Sequence, residues 1–182
     1  MPKLIVFEGI DGCGKSTQAQ MLFKWLQQQG KKVVFYKFPT HQKTIYGRLI
    51  DDYLSGKMGA LNSIPPEIPS LLYALDRYQY KKEIEETKAD IIICDRYFHS
   101  NIAHQAAKFN GAAREDMIKW LTYIDSRMPQ PSKIIFINIP IKIAQKRMKQ
   151  KTRDLHEDNI KYLKKVRDIY LTLAKKYNYV VI

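Results

Sequence analysis

Gly9-Ile10-Asp11-Gly12-Cys13-Gly14-Lys15-Ser16-Thr17 fits G-x-x-x-x-G-K-[ST], the spacing of a phosphate-binding P-loop. Each residue type has a physical task. Glycines without a Cβ let the backbone take positive φ and turn its N–H groups toward a phosphate. Lys15 supplies a cation for the β- and γ-phosphates, and the Ser16 hydroxyl suits Mg²⁺. A helix must follow, because its unpaired first N–H groups and partial positive charge complete the anion site. The loop therefore predicts a bound nucleoside triphosphate or something shaped like one, held by Gly9, Asp11, Gly12, Cys13, Gly14, Lys15, Ser16 and Thr17.

A second constellation follows the apolar run Ile91-Ile92-Ile93-Cys94, which ends in Asp95-Arg96. A carboxylate at a strand end can hold Mg²⁺ directly or through water, and the adjacent arginine can grip a phosphate bidentately. No serine–histidine pair and no zinc-ligand spacing stands out. The chemistry implied is phosphoryl transfer, which depends on positioning and charge neutralisation.

The elements that must position these groups alternate. Leu4 to Phe7, Lys32 to Phe38, Ile91 to Asp95, Lys133 to Ile139 and Tyr179 to Ile182 read as strands. Helical periodicity covers 15–29 (capped by Gly30), 44–55, 67–87, 100–109, 114–127, a helix begun by Pro140, and 157–177. Expected inward positions include Met21 and Trp25, Ile45 and Leu49, Leu71 and Leu75, and Ile160. The stretch 56–69 reads as a loop. This alternation predicts an α/β fold, a P-loop three-layer α/β/α domain over 1–182 with a five-stranded parallel sheet and a short basic lid at about 142–157. Ligands then sit at the carboxyl ends of the strands, which gathers the P-loop, Phe38-Pro39, Asp95-Arg96 and the Pro140 helix around one crevice.

Composition narrows the class. At 182 residues one globular domain is expected, and no repeat or low-complexity tract interrupts it. Cys13 and Cys94 have no metal-ligand spacing, so free thiols and a reducing, cytoplasmic location fit. No signal peptide or membrane-spanning run is seen, and no membrane partner is expected. The net charge is +13, with twelve Lys/Arg against four acids between Lys142 and Lys176. That field attracts polyanions, yet most of these lysines read as a solvated helix face.

Taken together, the motifs resemble those of the thymidylate kinases among the nucleoside monophosphate kinases. Phe7 to Gln18 is similar to F-E-G-x-D-G-x-G-K-S-T-[TQ], Lys37-Phe38-Pro39 with Gly47 to R-F-P and its downstream glycine, and Asp76-Arg77 to an arginine before the third strand. Asp95 to Gln105 resembles D-R-Y-x-x-S-x-x-A-Y-Q, and Asp154-Leu155-His156-Glu157 the D-R-x-E of the lid. The resemblance implies ATP and dTMP as substrates, Mg²⁺, a homodimer and no nucleic-acid partner. It also implies residue roles. Phe38 and Tyr73 would pack on the thymine ring, Arg77 would donate to a thymine carbonyl, and Asn101 and Gln105 would face the base or sugar. Arg96 would hold the acceptor's phosphate, Asp11 the 3′-hydroxyl, Asp95 the metal or its waters, and Lys15 the transferring phosphate.

Departures from the pattern carry expectations of their own. His104 stands where many members have a tyrosine that excludes a 2′-hydroxyl. Some members carry a catalytic arginine in the P-loop; this chain has Cys13 there, and Leu155 replaces the lid arginine, so Arg147 or Arg153 is expected to substitute. Lys37 keeps the charge of R-F-P without the guanidinium fork, and His41-Gln42-Lys43 lacks the arginine often found after F-P. The family normally adds a loop touching the adenine and a final helix beyond the fifth strand. Rival readings are a kinase of another nucleotide or of a deoxynucleoside, and a nucleic-acid-binding P-loop ATPase. The first would want a carboxylate general base where Lys37-Phe38-Pro39 stands; the second lacks aromatic platforms for a single strand.

Overall fold

In the computed structural model of the chain, residues 2–60, 63–148 and 160–182 are described. Five strands form one parallel sheet in the order β2-β3-β1-β4-β5: β1 Lys3–Glu8, β2 Val33–Lys37, β3 Ile91–Asp95, β4 Lys133–Phe136 and β5 Val180–Val181. The central strands β1 and β3 are in register from Lys3–Ile91 to Phe7–Asp95. Phe7 and Asp95 therefore lie at one level, with Glu8 one residue further on, and the chain turns into the P-loop and into Arg96 side by side. Val6, Ile92, Ile93 and Phe136 are fully buried, as strands covered on both faces require.

The helices are α1 Lys15–Gln28, α2 Ile45–Leu54, α3 Glu67–Tyr78, α4 Lys81–Glu86, α5 Phe98–Ala106, α6 Gly111–Ile124, α7 Ile141–Met148 and α8 Ile160–Lys176. Local chemistry sets their ends. Thr44 caps α2 by accepting from Gly47 N–H at 2.9 Å. Gly30, at φ 74, lets the chain leave α1.

Several sequence expectations are corrected. The single helix over 67–87 is two helices, with Gln79 and Tyr80 between them. Its inward face is also different. Ser70, Ala74 and Arg77 are buried while Leu71 and Leu75 are 42 % and 41 % exposed. The inner face of α3 lies against a polar crevice and a buried ion pair, so it carries polar and small residues and leaves leucines outside. Met21, Trp25, Ile45 and Ile160 are likewise exposed, contrary to their periodicity. Several bounds move by a few residues: α5 and α6 start earlier than expected, and Asp125–Arg127 is a separate 3-10 turn. The lid expected at 142–157 overlaps α7, and its remainder lies outside the described residues.

Candidate active site

The P-loop backbone passes through positive φ at Gly12 (75) and Gly14 (99). Space as well as φ demands glycine at 12, because a Cβ there would stand 2.3 Å from the Ala144 carbonyl oxygen of α7. Helix α7 thus lies directly on the loop. Arg147 on that helix donates from Nη1 to the Cys13 carbonyl at 3.2 Å, and a Cβ on Gly14 would lie 3.5 Å from the same nitrogen. Of the two arginines expected to supply charge, Arg147 is brought to the loop. Arg153 lies outside the described residues.

Beside the loop opens a crevice lined by Asp11, Lys15 and Ser16, by Lys37, Phe38 and His41, and by Tyr73, Asp76 and Arg77. Asp95, Arg96, Asn101, His104 and Gln105 close it from β3 and α5. Most residues singled out in the sequence therefore meet in one place, although Gly9, Gly12, Cys13, Gly14 and Thr17 stay in the loop or on α1 outside this lining.

Arg96 is the junction. Its backbone is left-handed, φ 68, and its guanidinium donates to Asp11, to the Gly9 carbonyl at 3.2 Å and to Ser100 Oγ at 2.9 Å. A bulky residue in that backbone region is held there by its surroundings. Lys15 Nζ is 3.3 Å from the same Asp11 oxygen. Burial works against a charge on Asp11, but Arg96 and Lys15, with His104, outweigh it and hold its carboxyl well below the usual range. Burial likewise opposes the Arg96 charge, and Asp11, Tyr170 and Glu8 more than restore it. The cluster is a preformed cationic seat with one internal counter-ion.

Glu8 is a functional support that the sequence reading missed. It is fully buried and accepts from Tyr97 N–H at 2.9 Å, from Ser100 Oγ and from Tyr170 Oη at 2.8 Å. Burial raises its pKa, against the opposing pull of Arg96 and these three hydrogen bonds. A charged residue closing the apolar run Leu4-Ile5-Val6-Phe7 was the available signal. Tyr162 was also missed; it lines the crevice from α8 and donates from Oη to the His104 carbonyl at 2.9 Å.

The far end of the crevice is apolar and aromatic. Phe38 is 3 % exposed and packs with Tyr36 at 6.2 Å, Tyr80 at 5.9 Å and Tyr97 at 6.0 Å between ring centroids. Asn101 donates from Nδ2 to the Ser70 carbonyl at 3.0 Å, while its buried Oδ1 and the buried Oε1 of Gln105 have no hydrogen-bond partner among the described residues. Arg77 differs from the simple expectation of a free donor. Its Nε and Nη2 bind Asp125 at 3.1 and 2.6 Å, in a pair buried to 2 % and 0 % side-chain exposure. Only the remainder of its guanidinium is left for a ligand.

Both carboxylate oxygens of Asp95 are buried and have no hydrogen-bond partner among the described residues. An orphaned carboxylate beside Ser16 and Lys15 fits a hydrated Mg²⁺, which takes few protein ligands and keeps its waters. No cluster of three or more His, Cys, Asp or Glu occurs among the described residues.

Comparison with known proteins gives the family. The thymidylate kinase family model matches residues 7–182. A probable thymidylate kinase of Sulfurisphaera tokodaii is 34 % identical over 100 % of this chain and 87 % of its own length. Probable thymidylate kinase 1 of Saccharolobus solfataricus is 38 % identical over 100 % of this chain and 88 % of its own length. A solved thymidylate kinase of Candida albicans matches with TM-score 0.83 at 27 % identity, covering 100 % of this chain and 83 % of that one. A kinase P-loop facing a second cationic seat, in a chain so matched from end to end, makes this protein a nucleoside monophosphate kinase of the thymidylate kinase family.

Proposed function

We propose that the chain transfers the γ-phosphoryl group of ATP to dTMP, giving ADP and dTDP. The observation that carries this is the position of Arg96: strained, held by Asp11 and Ser100, and standing between the P-loop and the aromatic crevice. A donor triphosphate on the loop and an acceptor monophosphate on Arg96 would meet across Lys15, the arrangement an in-line displacement needs. Phe38 and Tyr73 offer faces for a pyrimidine ring. Asn101 Oδ1 and Gln105 Oε1 offer acceptors, which suit the N3–H donor of thymine. Asp11 can accept from a sugar hydroxyl, and His104 beside Tyr162 borders the same side.

In the reaction, Lys15 and Arg96 neutralise the reacting phosphates, and Arg147 above Gly14 adds charge on the donor side. Asp95 and Ser16 would hold Mg²⁺, which would supply charge neutralisation between the phosphates of ATP. No protein general base is required, because the attacking acceptor oxygen is already an ionised phosphate oxygen.

We further propose a homodimer. The stripe Ile68, Leu71 and Leu75 on α3 is 43, 42 and 41 % exposed, next to exposed Ile45 and Leu49 on the packed helix α2. A cytoplasmic location suits the free thiols Cys13 and Cys94. Among the described residues, no helix is long and apolar enough to cross a membrane.

The test is a coupled ADP-release assay with MgATP and dTMP, dUMP, UMP, dCMP, dGMP or thymidine. Turnover highest with dTMP is the expected result, and the UMP rate reads what His104 does to sugar selection. Preference for thymidine or for dCMP would overturn the assignment.

A further inference from the structure

A single carboxylate brackets Arg96. The left-handed backbone of that residue, φ 68, is held from both sides. On one side its own N–H donates to the Phe7 carbonyl at 3.0 Å. On the other, the N–H of Tyr97 donates to Glu8 Oε1 at 2.9 Å. The second oxygen, Oε2, accepts from Ser100 Oγ, which itself accepts from Arg96 Nη1 at 2.9 Å. Glu8 thus fixes the backbone just beyond Arg96 and, through Ser100, the guanidinium.

Oε2 has a further donor, and it comes from α8. Tyr170 lies 162 residues from Glu8 in the chain, yet its Oη donates to Oε2 at 2.8 Å and stands 2.9 Å from Ser100 Oγ. Each hydroxyl carries one proton. With both protons spent on Oε2, the Ser100 oxygen turns its lone pairs to Arg96. The Tyr170 ring is fully buried, stacked on Phe136 of β4 at 5.1 Å and edge-on to His104 at 6.5 Å between centroids. A phenylalanine would pack as well there, so the ring does not account for the hydroxyl. A polar atom at such depth costs free energy unless it is bonded, and this one is bonded to the support of Arg96. Burial opposes the charge on Glu8, while Arg96, Ser100, Tyr170 and the Tyr97 N–H all favour it.

Resting on the reading of the crevice as a nucleoside monophosphate site, we propose that Tyr170 is a positioning residue for the acceptor: its hydroxyl anchors the carboxylate that sets Arg96 against the acceptor's phosphate. Arg96 and Ser100 line the crevice, and Tyr170 stands behind them, outside that lining. A guanidinium whose acceptors are in place before the ligand arrives loses little freedom on binding, which strengthens the grip. Removing one of the donors to Glu8 loosens Oε2, and the looseness passes through Ser100 to the arginine. The donor triphosphate rests on the P-loop backbone and Lys15, which the path Tyr170–Glu8–Ser100–Arg96 does not include.

The test is steady-state kinetics of the full chain, with KM for dTMP and KM for MgATP measured separately, together with calorimetric titration by dTMP. Tyr170→Phe keeps the ring on Phe136 and removes only the oxygen. Its KM and Kd for dTMP should rise about tenfold, as for the loss of one hydrogen bond to a charged group. KM for MgATP and kcat should stay near wild type, because the interaction lost serves acceptor binding in ground and transition states alike. Glu8→Gln completes a double-mutant cycle. In that background Tyr170→Phe should add less than about twofold, since the carboxylate it serves has gone.

A Y170F enzyme with the wild-type KM for dTMP overturns the proposal. So does an equal rise in both KM values, the mark of general damage to the fold. An effect undiminished beside Glu8→Gln also overturns it, because the hydroxyl would then act by another route. Should Glu8→Gln not fold, the split between the two KM values in Y170F decides alone. If the wild type neither binds nor phosphorylates dTMP, the acceptor reading fails and the role of Tyr170 with it. Normal wild-type turnover with an unresponsive Y170F sinks only the role of Tyr170.

Discussion

In the proposed reaction Arg96 would concentrate the phosphate contacts of the acceptor in one side chain. Its guanidinium is engaged by Asp11, Gly9 and Ser100 before any ligand arrives, so its geometry is set in advance. Arg96→Ala should lower kcat/KM for dTMP by about 10²–10³-fold, the usual cost of one preorganised charge-stabilising donor. Arg96→Lys should recover little of it, because a lysine lacks the planar fork that reaches two acceptors at once. Steady-state kinetics of both variants checks this; a lysine enzyme near wild-type rate would reduce Arg96 to a point charge. Asp95-Arg96 was legible in the sequence because a carboxylate and a guanidinium ended an apolar run. Glu8 also ends an apolar run, but its supporting role was not legible, since its partners Ser100 and Tyr170 lie 92 and 162 residues away.

Helix α3 illustrates what happens to an element when a site overrides its periodicity. The expected apolar face holds Leu71 and Leu75, but the buried face holds Ser70, Ala74 and Arg77. Arg77 is kept there by Asp125, beyond the end of α6, through two hydrogen bonds. A buried pair of this kind does most harm when one partner is lost, because the other charge is left uncompensated. Asp125→Ala should destabilise the fold by about 3–5 kcal/mol, and the double variant Arg77→Met with Asp125→Leu should recover much of that stability while losing dTMP affinity. Denaturant titrations of the three proteins decide it. A D125A protein as stable as wild type would show that the pair is not structurally important.

Over the whole molecule, the outward leucines of α3 are the contact proposed for a homodimer. Leu71→Glu with Leu75→Glu should shift sedimentation from dimer to monomer, because two charges would enter an apolar contact. A wild type that sediments as a monomer at all concentrations would remove the dimer. The basic field has a separate consequence, since a chain of net charge +13 steers anionic nucleotides toward a crevice that already gathers Lys15, Lys37 and Arg96.

Local rules were enough for the strand–helix alternation, the P-loop and the parallel sheet, because each rests on period, spacing or a glycine within a few residues. Asp95-Arg96 and the start of the Pro140 helix were set at the same short range. The network Glu8–Ser100–Tyr170, the Arg77–Asp125 pair and the placing of Arg147 on Gly14 were decided only in three dimensions. Each joins residues distant in the chain, and burial changes what their charges do.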